Sequence, residues 1–279
     1  MAIRIGCGSW ADDEYVGLLY PQGVPPKSRL RTYATWFDRV EINASAYRTP
    51  LRTTVDEWNT QTPPGFIFDA KLHRVFSADP RKSAQTDFLP KFVGAFEPLI
   101  AANKFGAFLL LLEPSFTPGN RKLEEIDLLA EKIQPHRMAV ELRHRAWVEG
   151  DALKTTLEYF RSRKLVWVAV DVPPLKSPKL LPPIDEVTLP DLAYLRLHGR
   201  NPNYLKVKTT AERHEHDYTP EELGEIATRI RTLEASAKDV HVSVNNHAND
   251  FAPKAAIALR KLLGQSVPSP LSARNEEEV

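Results

Sequence analysis

The stretch LAYLRLHGR, Leu192–Arg200, alternates apolar and charged residues with the period of a β-strand. Successive side chains of a strand face opposite sides. Leu195 and Leu197 therefore share one face, and Arg196, His198 and Arg200 share the other. A leucine face asks for a covering helix, which leaves the charged face looking into an interior shared with other polar groups. Seven further β-rich runs supply that interior: Ile3–Ser9, Arg39–Ser45, Phe66–His73, Gly106–Glu113, Arg137–His144, Val166–Val172 and Asp239–His247. Helical patterns lie between most of them, at Lys27–Phe37, Thr53–Gln61, Phe88–Asn103, Arg121–Ile133, Asp151–Arg163, Thr219–Ser236 and Ala252–Gly264. Asp151 reads as a helix cap, and Thr219 with Pro220 and Glu222 as a capping box. The sixth run is followed by the Pro-rich segment Pro173–Pro190, with no clear helix, which reads as an insertion over one end of the fold.

Strand–helix alternation implies parallel strands joined by right-handed crossovers. Eight such units favour an α/β fold of the (β/α)8 TIM-barrel type over the competing open, doubly wound sheet. One domain is expected over residues 1–265. The tail Ser266–Val279 lacks apolar periodicity and is expected to be disordered.

Composition narrows the function classes. The 279 residues carry 37 Lys+Arg against 36 Asp+Glu, so no global positive charge points to extensive nucleic-acid backbone contact. A local basic groove stays open. The single cysteine, Cys7, excludes an intramolecular disulfide and fits a reducing cytoplasm. No apolar stretch approaches the roughly 20 residues of a membrane span, and the start shows no signal-peptide pattern.

In a barrel the outer face of each strand packs on helices and is apolar, so polar residues of the strands face inward. On this rule Glu41, Asn43, Asp69, Lys71, His73, Glu113, Glu141, Arg143, Asp171, Arg196, His198, Arg200, His241, Ser243, Asn245 and His247 point inward. Trp10 follows just past the first strand, and Cys7 faces out as a small core residue. Most of the inward polar residues sit in the C-terminal halves of their strands, where barrel enzymes place their sites. A buried ion pair is often no better for stability than apolar residues of the same volume. A ring of charges is therefore expected to serve a ligand or a reaction. Arg196 and Asp69, deeper by register, and His241, near its strand start, also suit structural roles.

With these residues on the page the chain resembles the YecE-like family, domain of unknown function 72, over roughly Ile3–Leu263. The resemblance rests on IGCGSW (Ile5–Trp10), LLYP (Leu18–Pro21), VEINASAYRTP (Val40–Pro50), FIFDAKLHR (Phe66–Arg74), VELRHRAW (Val140–Trp147), AYLRLHGR (Ala193–Arg200) and VNNH (Val244–His247). It implies a TIM barrel and no particular reaction. The chain departs from the family's Gln-Leu-Pro-Pro-Ser-Phe after the fourth strand, where Leu111 and Glu113 replace Gln and Pro. It departs again at Ala255-Ala256, where the family has Asn-Ala. Glu113 is expected to restore a polar group nearer the mouth.

Three chemistries fit the cluster. The first is a metal-independent, cofactor-free enzyme of hydrolase or lyase type acting on a small anionic, hydroxylated substrate. Arg143, Arg196 and Arg200 offer planar donors for phosphate or carboxylate. Lys71 is a base or Schiff-base candidate, and Glu41, Glu141 and Asp171 are acid–base carboxylates, with crowding expected to split the pKa values of Glu41 and Glu141. Trp10, Tyr47 and Trp147 are placed to stack on a ring, and Asn43, His73, Glu113, Asn245, Asn246 and His247 to contact ligand. The second is a phosphodiester- or nucleic-acid-acting, metal-dependent hydrolase. His73, His198 and His247 with the carboxylates are suitable ligand types, although no close metal motif is present. The third is a non-catalytic binding barrel. The histidines of HEHDYTP (His214–Pro220) are expected on a solvated loop.

Overall fold

The apolar runs form eight parallel strands: β1 (Ala2–Cys7), β2 (Arg39–Ile42), β3 (Ile67–Lys71), β4 (Phe105–Leu111), β5 (Arg137–Glu141), β6 (Val166–Asp171), β7 (Ala193–Leu197) and β8 (Asp239–Val244). The computed structural model describes residues 1–246 and 248–268. His247 and residues 269–279 of the expected disordered tail lie outside the described residues. The strands run in the order β1-β8-β7-β6-β5-β4-β3-β2, with parallel pairing at each step, so the fold is a TIM barrel.

Backbone ladders leave one seam, between β1 and β2, and side chains bridge it. The Tyr33 hydroxyl accepts from Cys7 N at 2.6 Å and donates to the Arg39 carbonyl at 3.1 Å. The Asp38 carboxylate accepts from Ile5 N at 3.2 Å. The approach is so close that a Cβ on Gly6 would lie 2.0 Å from the Arg39 carbonyl oxygen. Glycine at this position is a packing requirement of barrel closure.

Helices cover the outside. Arg29–Trp36, Arg52–Gln61, Asp127–Ile133, Ala152–Ser162, Pro220–Glu234 and Phe251–Leu262 fall within or close to the expected spans. The long pattern at 88–103 divides into Phe88–Ala95 and Glu97–Ala101, because Pro98 cannot donate to a continuous helical ladder. The Thr219 capping box forms as expected, whereas Asp151 makes no side-chain cap bond. Residues 172–192 contain no helix; Lys179–Leu181 border a cavity at the C-terminal end of the barrel, and the segment then returns along the outside to the start of β6, where Trp167 Nε1 donates to the Ile184 carbonyl. The outer apolar layer is aromatic-rich around β4, where Phe105, Phe108, Phe92 and Phe96 pack with ring centroids 4.5–6.1 Å apart. None of the described helices is long and apolar enough to cross a membrane.

Candidate functional site

The barrel interior is built in layers. At the bottom, Arg39 donates to Asp69, to the Val242 carbonyl at 2.7 Å and to the Tyr194 hydroxyl at 2.8 Å. His241 closes this layer, with Nδ1 2.9 Å from Asp69. Burial by itself would raise the Asp69 carboxyl, but His241 and Arg39 hold it far below the ordinary carboxylate range. Gly106 makes room for the layer, since a Cβ there would meet Asp69 Oδ1 at 2.3 Å. Arg39 and Tyr194 share the parity of Glu41 and Arg196, so alternation carried their signal, although the expected inward set omits both. His241 and Asp69 have the structural partners expected of deep positions.

Above this layer Arg196 joins two carboxylates. Its Nε and Nη2 reach Glu41 at 3.1 and 2.6 Å, and its Nη1 binds Glu141. All three side chains are at most 3% exposed. Tyr194 donates to Glu41 at 2.8 Å. Burial pushes both carboxyls up, but the guanidinium between them reverses the effect, and both titrate below the ordinary glutamate range. This corrects the expectation that crowding splits their pKa values: a shared cation keeps both ionised.

The upper layer is less satisfied. Arg143 Nε binds Glu141 Oε1 at 2.8 Å, while its side chain stays 35% exposed and its terminal amino groups make no protein hydrogen bond among the described residues. His198 is 4% exposed, with Nε2 3.4 Å from Glu141 and Nδ1 buried without a partner. Burial lowers its pKa, which Glu141 only partly opposes, so the ring is neutral at pH 7. Lys71 ends β3 with no carboxylate within 4 Å among the described residues. Burial, with help from Arg196 and Arg143, brings its ammonium down to about 8. Asn43 donates to the Gly8 carbonyl at 2.9 Å and to Asn245 at 3.2 Å, and Asn245 donates to Ser243 Oγ at 2.9 Å.

Two cavities open on this layer. One, of about 260 Å³, has Glu141, Arg143 and His198 in its wall, joined by Lys179, Arg213 and His214 from the excursions after β6 and β7. The other, of about 440 Å³, reaches Glu41 and Asn43 between Trp10 and Trp58. Lys179, Arg213 and Trp58 are absent from the expected site. They come from loops and from a helix, where no strand alternation marks an inward side chain. His214 departs from the expected solvated loop, because its ring lies 5.3 Å from that of His198.

Several expected members stand elsewhere. Asp171 pairs in register with Leu197, and its neighbour Val170 pairs with Arg196. Asp171 therefore faces the helices, which corrects its inward assignment. An all-apolar strand offers no polar alternation from which to choose its phase. Asp171 accepts from Arg200 Nη2 at 2.8 Å, Arg229 Nη1 at 3.0 Å and the Tyr218 hydroxyl at 2.9 Å. Arg200 is likewise corrected. Gly199, at φ 84°, turns the chain so that Arg200 points to Asp171 and to Glu225, at 2.7 Å, on the helix Pro220–Glu234. Glu113 is exposed beyond the end of β4 and restores nothing inside. Trp147 is 7% exposed, stacks on Phe116 at 5.6 Å and donates to the Phe116 carbonyl, so it is a packing residue. Tyr47 is 70% exposed, and its carbonyl lies 3.3 Å from the half-buried ring of His73. Neither borders the two cavities. Asn246 holds the His216 carbonyl at 2.7 Å and is fully buried. Ala255 and Ala256 are buried in the last helix. Cys7 is buried on the outer face, its thiol pushed up to about 12 by desolvation.

Fold and site together define a TIM barrel, its β1–β2 seam bridged by side chains and its sixth crossover without a helix, whose C-terminal mouth carries an interior network of paired charges. Within that class the chain belongs to the family described as "Protein of unknown function DUF72", whose model matches residues 4–278. It is 24% identical over 259 residues to UPF0759 protein YunF of Bacillus subtilis (strain 168), covering 90% of each chain. A crystal structure of a DUF72 family protein from Thermotoga maritima MSB8 superposes with a TM-score of 0.82 at 27% identity, covering 95% of this chain and 100% of that one. A DUF72 family protein from Enterococcus faecalis V583 gives a TM-score of 0.84 at 25% identity, over 96% and 98% of the two chains.

Proposed function

We propose that the chain is a metal-independent enzyme performing acid–base chemistry of hydrolase or lyase type on a small, hydroxylated phosphate or carboxylate. Arg143 holds the anion, with neutral His198 beside it in the cavity wall. Lys71, titrating at about 8, exchanges the proton. Glu41 and Glu141, both ionised, fix Arg196 and through it the charge balance around Lys71. The two interior carboxylates, Glu41 and Glu141, are already engaged by guanidiniums.

One observation carries this reading. A buried carboxylate–guanidinium–carboxylate bridge reaches, through Glu141, a cavity of about 260 Å³ whose wall also carries His198 and an Arg143 fork without protein partners among the described residues. A network serving stability alone gains little over apolar residues of the same volume and would satisfy its own donors. The test is a thermal-shift and calorimetric screen of phosphate- and carboxylate-bearing metabolites against the wild type and Arg143→Ala. Hits are then followed for turnover by NMR with Lys71→Met as control. Anionic compounds should stabilise the wild type and lose that effect in Arg143→Ala. If no anion shifts the melting temperature, the proposal fails. Binding without turnover would reduce it to a ligand-binding barrel.

A further inference from the structure

The two cavities at the mouth have opposite polarity. The Arg143 cavity is bordered by Arg143, Lys179, Arg213, His198 and His214 against one carboxylate, Glu141. No carboxylate lies within 4 Å of the charged groups of Lys179 or Arg213 among the described residues. The Trp10 cavity is bordered by Asp12, Glu14 and Glu41, and among the described residues no Lys, Arg or His lines it. Arg196 stands between them, with Glu141 facing one cavity and Glu41 the other.

The Trp10 cavity is also short of donors. The Asn43 amide nitrogen is spent on Gly8 and Asn245, which fixes its orientation and leaves Oδ1 buried without a partner. Trp10 and Trp58, in the same wall, meet edge to face at 5.2 Å. A cavity of about 440 Å³ combining carboxylates, the unpartnered Asn43 amide oxygen and indole rings suits a compact cation with several N–H donors. A primary ammonium group meets all three demands at once. A quaternary ammonium would leave the acceptors unsatisfied.

We propose, resting on the small-anion reading above, that the substrate is a small zwitterion whose phosphate or carboxylate lies in the Arg143 cavity and whose primary ammonium group lies in the Trp10 cavity across Arg196. Neither end alone fills the mouth. Both ends together place the middle of the molecule over the Glu41–Arg196–Glu141 bridge.

Isothermal titration calorimetry tests this with inorganic phosphate, ethyl phosphate, 2-aminoethyl phosphate and 3-aminopropyl phosphate, and with propionate and β-alanine in parallel. The proteins are the wild type, Lys179→Ala/Arg213→Ala and Asp12→Asn/Glu14→Gln. Asp12 and Glu14 are at least partly exposed, so their amide variants keep the fold. The wild type should bind at least one amino compound about tenfold more tightly than its amine-free analogue. Asp12→Asn/Glu14→Gln, which keeps Glu41, should lose most of that preference, and Lys179→Ala/Arg213→Ala should weaken both. Equal binding of amino and amine-free compounds to the wild type would overturn the zwitterion while leaving the anion reading intact. An amine increment undiminished in Asp12→Asn/Glu14→Gln would overturn the assignment of the Trp10 cavity. Failure of every anion to bind would overturn the anion reading itself, and the zwitterion with it.

Discussion

Arg196→Met removes the one cation that two buried carboxylates share. Glu41 is fully buried and Glu141 is 2% exposed. In the wild type both titrate below the ordinary glutamate range, so they bind fewer protons folded than unfolded. Their contribution is present above the unfolded glutamate value and is lost as pH falls through the folded one. Without Arg196 burial dominates, and the folded pKa values rise above the unfolded value. The variant is then penalised at neutral pH and recovers as acid protonates the orphaned carboxylates. Removing one partner of a buried pair costs about 3–5 kcal/mol, which for a chain of this size lowers the melting temperature by about 10 °C. Urea unfolding at pH 7.5 and pH 5.5, read by circular dichroism, checks both magnitude and sign. The deficit should be large at pH 7.5 and smaller at pH 5.5. A variant as stable as the wild type at pH 7.5, or a deficit that grows on acidification, would refute the shared-cation account. The triple replacement Glu41→Leu/Arg196→Met/Glu141→Leu should regain most of the lost stability and bind no anion. That would separate what the bridge does for the fold from what it does for the site.

Three other outcomes are expected. Gly6→Ala forces a Cβ into the Arg39 carbonyl at the β1–β2 seam and should destabilise by about 3 kcal/mol or more, measured by denaturant unfolding. Lys71 should be half-acetylated by a competitive amine reagent at a pH of about 8, well below the exposed lysines. Because its folded pKa is depressed, stability should rise as pH increases from about 8 towards the ordinary lysine value, and Lys71→Met should abolish that rise. Asp171→Asn loosens Arg200, Arg229 and Tyr218 and should cost about 3 kcal/mol. It should leave anion affinity within about twofold by calorimetry, since Asp171 faces the helices.

The chain's periodicities were enough to determine the barrel. Eight apolar runs separated by helical patterns admit few topologies, and Tyr194–Arg200 showed which face of β7 looks inward. Glu41, Asp69, Lys71, Glu141, Arg143, Arg196 and His198 were legible because each alternates with residues that must face helices. Tertiary structure alone decided the rest. Asp171 sits in a strand apolar on both faces, so only its register against β7 fixes its direction. Arg200 follows a left-handed glycine, beyond which strand parity no longer applies. Lys179, Arg213 and His214 reach the cavity from the excursions after β6 and β7, where no strand period links sequence to direction. Alternation reports which side of a strand a residue occupies. It does not report which charges meet across the barrel, and that pairing left Arg143, His198 and Lys71 unsatisfied at the mouth.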